Sequence, residues 1–234
     1  MATALVLGCT GLTGSHILAT LRNSAPHFSS IEVVARRAPP PAPEAAVPTK
    51  AYVEKDTSQW GAHIASTKPP PAVVFYALAS TRASAGGFDN QYRFEHDMMA
   101  QLATAAKDAG INTYVLVSAA GADPKSIFGY QRMKGELEEY VKKLDFKHTI
   151  IVRPGMILGE RANQDAAGYV LNHLATACGY VHASLKNAWA QDAHTIANAA
   201  VSASLQIERG EVKDKIWTLG GSEIIRLGKG ERLD

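Results

Sequence analysis

Ala2–Arg22, ATALVLGCTGLTGSHILATLR, is the stretch that decides the fold. A short continuous apolar run, ATALVLG, stops at glycines and passes directly into a helix-period segment from Leu12 to Arg22. The same alternation then repeats along the chain. IEVVAR and AYVEKD are followed by a short helix near Trp60. AVVFYALAS precedes a long helix from about Asn90 to Ala109, TYVLVSA precedes a helix over Phe128–Leu144, and HTIIVRP closes the series. Runs that are apolar throughout, instead of every second residue, belong to strands buried on both faces, which means a parallel sheet with helices on both sides. The fold class expected is therefore α/β, a doubly wound parallel sheet of the Rossmann type. After Gly159 the rhythm changes to helical patterns around Ala166–Thr176 and Ala193–Ile207, then a strand-like KIWTLGG and a polar tail. This divides a single domain into a core, 1–158, and a small C-terminal substrate-covering segment, 159–234.

The length of 234 residues suits one sizeable domain, and 46% hydrophobic with 20% charged residues is ordinary for a globular protein. A net charge of +2 provides no basic field, so no nucleic acid is expected as a partner. Cys9 and Cys178 make no disulfide framework and have no zinc-finger spacing, which suits a reducing compartment. The N-terminus lacks a basic leader region and reads as structure, and no apolar run approaches the ~20 residues of a membrane-spanning helix. Peripheral membrane attachment stays open. The Pro-rich stretches Ala38–Pro48 and Lys68–Pro71 read as stiff surface loops.

GCTGLTG places Gly8, Gly11 and Gly14 between the first strand and the first helix. Glycines there permit a tight turn and let a pyrophosphate approach the free N–H groups and positive end of the helix. Thr10, Leu12 and Thr13 complete that loop, and Ala79, at the end of AVVFYALAS, lies at the neighbouring strand end; all are candidate cofactor contacts. The end of the second strand distinguishes the two nicotinamide cofactors. An acid there takes a ribose hydroxyl, whereas arginine takes a 2′-phosphate. This chain has VVARRAP, so Arg36 and Arg37 favour NADP(H). Asp56 is a candidate adenine contact.

In FGYQRMKGELEEYVKKL, Met133, Leu137, Tyr140, Val141 and Leu144 form an apolar stripe, with Gln131, Arg132, Gly135, Glu136, Glu138, Glu139, Lys142 and Lys143 on the other side. Tyr130 lies in the stripe and Lys134 at its edge one turn later, so the two side chains are neighbours. A phenol with a reference pKa of about 10 becomes a usable acid near neutral pH when an ammonium stands beside it. Ser118 ends a strand twelve residues before Tyr130, where it could hydrogen-bond a substrate oxygen. Pro154 and Gly155 follow the next strand and would bring backbone close to a nicotinamide.

Together GCTGLTGSHIL, VLVSAAGAD, FGYQRMKGELEEYV and RPGMILGER resemble the atypical short-chain dehydrogenases/reductases. The nearer likeness is to the HIV Tat-interacting-protein oxidoreductase group and its fungal relatives at the mitochondrial outer membrane. The resemblance implies NADPH binding at Gly8, Gly11, Gly14 and Arg36, a Ser118, Tyr130, Lys134 triad, and a cytoplasmic or peripheral outer-membrane location. It also marks two departures. The second serine common in the family is Ala119, and the helix position that often carries a catalytic Asn falls at His96–Asp97.

The eight histidines show no metal-ligand cluster, and no metal is expected. Cys9 reads as a packing residue, and Trp189, Tyr180 and Met156 read as core or as pocket lining. Two functions stay open. One is an NADPH-dependent oxidoreductase acting on a small-molecule carbonyl; the other is an NADP(H)-binding redox sensor that engages a protein partner without turnover.

Overall fold

Strand formation follows the apolar runs closely. The structure, a computed structural model, describes residues 2–159 and 189–231. Strand β1 is Ala2–Leu7, β2 Phe28–Ala35, β3 Thr49–Val53, β4 Val73–Tyr76, β5 Thr113–Val117 and β6 His148–Val152. A short parallel pair, β7 (Met156–Leu158) and β8 (Ala190–Asp192), stands apart, and β9 is Ile216–Leu219. The main sheet has seven strands in the order β3-β2-β1-β4-β5-β6-β9, every pairing parallel. Chain order reverses between β1 and β4, so a crevice opens at the C-terminal ends of these strands, where doubly wound folds bind their ligands.

Among the described residues the helices are α1 (Leu12–Arg22), α2 (Trp60–Ser66), α3 (Arg82–Ala85), α4 (Phe88–Tyr92), α5 (Met98–Asp108), α6 (Gly129–Lys143), α7 (Ala193–Glu208) and α8 (Gly221–Gly228). Strand residues divide between two cores by the period of two. Ala4 and Val6 pack with Ile17, Leu18 and Leu21 of α1, Ile196 and Ala200 of α7, and Ile224 and Leu227 of α8. Leu5 and Leu7 face the opposite layer, with Trp60 and Ile64 of α2, Leu102 and Ala106 of α5, and Leu137 and Val141 of α6. Each fully buried Leu or Ile in these layers contributes about 1.5–3 kcal/mol relative to an exposed one.

Three expectations change. The long helix over Asn90–Ala109 is α4, then a π-helical segment at Arg93–Asp97, then α5. A π turn holds one residue more than an α turn, which alters which side chain faces inward. The polar tail contains α8, whose Ile224 and Leu227 are buried. Finally, β9 pairs with β6 and α7 packs in the same core as α1, so the described part of 159–234 completes the main sheet and its layers. Residues 160–188, with the helical pattern at Ala166–Thr176, Tyr180 and Cys178, lie outside the described residues.

Candidate active site

The glycine loop is shaped by close backbone approach. Gly8 has φ +90, and a Cβ there would stand 2.5 Å from the Ala77 carbonyl oxygen just beyond β4. A Cβ on Gly14 would collide with the Gly8 carbonyl. Gly11 is the N-cap of α1 and offers no side-chain cap, so the first-turn N–H groups keep no side-chain acceptor at the cap. Glycines that pack this tightly and an uncapped helix end form a cradle that fits a dinucleotide pyrophosphate. Thr10 is exposed at its rim, Leu12 is half-buried, and Thr13 is buried. Cys9 is buried and its thiol is pushed up to about 11, by burial first of all, so it is a packing residue and not a reactive thiolate.

Arg36 and Arg37 are both exposed just past β2. The Arg36 guanidinium stands over the Phe94 ring, 6.0 Å from its centroid. Ala79 is exposed beyond β4. Asp56 caps a short 3-10 turn: its Oδ1 accepts from Ser58 N (3.0 Å) and Ser58 Oγ (2.7 Å), and these bonds hold its carboxyl below the usual range. That cap gives Asp56 a structural duty which the sequence reading had not assigned.

Tyr130, Lys134 and Glu138 follow one another at intervals of four along α6, so they share one face. Tyr130 is 38% exposed, whereas Lys134 is only 2% exposed. The Lys134 ammonium lies 5.7 Å from the Tyr130 ring centroid and 2.7 Å from Glu95 Oε2. Glu95 is fully buried, and its other oxygen, Oε1, accepts from Ser80 N (2.8 Å), Ser80 Oγ (3.0 Å) and Gln91 Nε2 (3.0 Å). Burial alone would push the lysine pKa down; the neighbouring Tyr130 oxygen and the Glu95 carboxylate outweigh it and hold the ammonium above its ordinary range. The residue that meets Lys134 is therefore Glu95, and His96–Asp97 does not fill that place. His96 Nδ1 instead pairs with Asp97 Oδ1 at 2.9 Å, and the His96 ring lies against Tyr92. The π turn turns Glu95 inward. An acid one residue before the expected position was the signal available in the sequence.

Ser118 is buried at the end of β5, and its amide donates to the Val152 carbonyl at 2.8 Å. Its hydroxyl donates to Glu138 Oε1 at 2.5 Å. Arg153 Nε donates to the same oxygen (3.0 Å) and Arg153 Nη2 to Oε2 (2.5 Å), which raises the guanidinium above its ordinary pKa. Glu138, assigned by periodicity to the polar side of α6, is 1% exposed and belongs to the site's interior. Pro154 is buried, and its carbonyl accepts from Ala120 N at 2.7 Å. The Gly155 amide donates to Gln191 Oε1 at 2.7 Å, and a Cβ there would collide with the Trp189 carbonyl. These contacts seat the β7–β8 pair beside the crevice. Met156 packs within that pair and Trp189 is half-exposed at its edge. Among the described residues there is no group of three or more His, Cys, Asp or Glu side chains placed to hold a metal.

Comparisons with known proteins bear on the family and the fold. The NAD(P)H-binding family model matches residues 8–176. The chain is 44% identical over 232 residues to "Protein fmp52-1, mitochondrial" of Aspergillus terreus, covering 98% of this chain and 100% of that protein. It is 46% identical over 235 residues to "Protein fmp52, mitochondrial" of Emericella nidulans, covering 98% and 100%. Among solved structures it resembles the UDP-Glc/GlcNAc 4-epimerase of Campylobacter jejuni, with TM-score 0.70 and 16% identity over 97% of this chain and 82% of that one. MoeE5, solved with UDP-glucuronic acid and NAD, superposes with TM-score 0.67 and 18% identity over 93% and 75%. At such identities the structural likeness speaks for the Rossmann-like fold. By sequence, the chain belongs to the NAD(P)H-binding family and to the fungal Fmp52 group.

Proposed function

We propose that this protein is an NADPH-dependent oxidoreductase that reduces a carbonyl or related group, with Tyr130 as general acid. The observation that carries this reading is the enclosed Lys134 ammonium, fixed by Glu95 at 2.7 Å and set one helical turn from Tyr130. A lysine held charged inside the protein at the cost of burying its counter-ion is expensive, and it suits a site that needs a fixed positive charge beside a phenol. Gly8, Gly11 and Gly14 would hold the pyrophosphate, and Arg36 and Arg37 the 2′-phosphate. When bound, NADPH supplies the hydride. Tyr130 then gives its phenolic proton to the alkoxide oxygen that develops on the substrate. Lys134 keeps N–H donors for ribose hydroxyls and favours the tyrosinate that remains. Glu95 keeps Lys134 charged and immobile. The names of its relatives support a mitochondrial location, and among the described residues no helix is long and apolar enough to cross a membrane.

Tyr130→Phe tests the assignment. NADPH affinity, read by fluorescence titration, should be unchanged, while NADPH oxidation with a panel of aldehydes, ketones and quinones should fall about 100-fold or more. Turnover equal to the parent protein would remove Tyr130 from the chemistry.

A further inference from the structure

Glu138 has no part in the proton step above, yet it is 1% exposed and takes three donors: Ser118 Oγ and Arg153 Nε on Oε1, and Arg153 Nη2 on Oε2. A carboxylate gripped bidentately by a guanidinium turns both oxygens to its donors as acceptors. The single O–H of Ser118 is therefore turned toward α6. What remains on Oγ for a further partner is its pair of lone pairs. We propose that Glu138 is a positioning residue: clamped by Arg153, it takes the Ser118 hydroxyl proton, so that Ser118 meets the substrate as a hydrogen-bond acceptor. This rests on the oxidoreductase reading and gives it a substrate class. Polarising the carbonyl falls to Tyr130, while Ser118 suits a donor carried next to that carbonyl. The substrates favoured are carbonyl compounds with an adjacent hydroxyl or N–H, the α-hydroxy ketones in the first place.

Glu138→Leu should undo this arrangement. Ser118 Oγ and Arg153 Nε share one Glu138 oxygen, so an amide there would still accept the serine proton, whereas leucine removes the acceptor and frees that proton for the crevice. The test uses purified full-length protein with NADPH and two ketones of matched size, 2-hydroxyacetophenone and propiophenone. The parent protein should favour the hydroxy ketone in kcat/KM by about tenfold, the size of one ordinary neutral hydrogen bond. In Glu138→Leu and in Ser118→Ala this preference should disappear. In the Ser118→Ala background, adding Glu138→Leu should leave the ratio within about twofold, because residues that act through one another are not additive. A merely structural Glu138 would lower both rates together and leave the ratio alone. Glu138→Leu combined with Arg153→Met, which removes both charges of the pair, provides a milder variant with the same expected direction if Glu138→Leu alone folds poorly. A ratio unchanged in these variants, or a parent protein that reduces propiophenone as well as the hydroxy ketone, overturns the proposal and leaves the oxidoreductase reading standing. A parent protein that oxidises NADPH with no carbonyl at all removes both.

Discussion

Residues 8–14 shape their side of the crevice by leaving side chains out, whereas Glu95, Ser118, Lys134 and Glu138 shape the other side by burying charge and hydroxyl groups. In the first region the constraint is backbone against backbone: Gly14 against the Gly8 carbonyl, and Gly8 against the Ala77 carbonyl. In the second it is side chain against side chain, drawn from α6, the π-helical segment and the ends of β4, β5 and β6. The difference teaches how each region should fail. A clash with backbone has no partner whose substitution relieves it, while an ion pair has two members and can be mended from the other side.

The largest effect should come from Lys134→Met, which leaves the Glu95 carboxylate buried without its counter-ion. Thermal or denaturant unfolding should show a loss of about 3–5 kcal/mol. Adding Glu95→Gln removes the stranded charge while an amide oxygen still accepts from Ser80 and Gln91, and should return about half of that loss. If the double variant is no more stable than Lys134→Met, the two-sided character of this region is wrong. Gly14→Ala should cost roughly 3 kcal/mol by overpacking, with no second-site change in a neighbouring side chain restoring it. A variant that unfolds like the parent would show that the loop can yield. Arg36→Ala should weaken NADPH by about tenfold and leave NADH within about twofold, since a guanidinium bears on the 2′-phosphate alone. Equal weakening of both cofactors would point to loop damage instead. The smallest effect is expected at Cys9. With its thiol pKa at about 11, iodoacetamide at pH 8 should leave Cys9 unmodified in the folded protein, as read by peptide mass, and should modify it after unfolding.

Legibility in the sequence divides along the same line. Leu12–Arg22 was readable as a helix to the residue, because a run of glycines ends the strand and the 3.6-residue period begins at once. Phe128–Leu144 came within one residue at each end of the observed α6, and Tyr130 and Lys134 were found on it by spacing. Glu138 was placed on the solvent side, since the period treats every acid as a surface residue. Its burial depends on Arg153 and Ser118, which lie fifteen and twenty positions away along the chain. Glu95 was missed by one place. A count in α-helical turns cannot anticipate the extra residue of a π turn, and His96–Asp97 took its position in the reading. The short β7–β8 pair joins Met156–Leu158 to Ala190–Asp192 across a wide sequence gap, and neither stretch is long enough to carry a strand pattern by itself.

By itself, the sequence determined what depends on neighbours in the chain: strands buried on both faces, a glycine loop leading into a helix, a Tyr and a Lys one turn apart, and arginines at the end of the second strand. Only the tertiary structure decided which charges share a dry interior, pairing Lys134 with Glu95 and binding Ser118 to Glu138 and Arg153. The reason is physical. Periodicity and turn chemistry act over a few residues, whereas the cost of burying a charge is settled by whichever partner the fold brings within hydrogen-bonding distance.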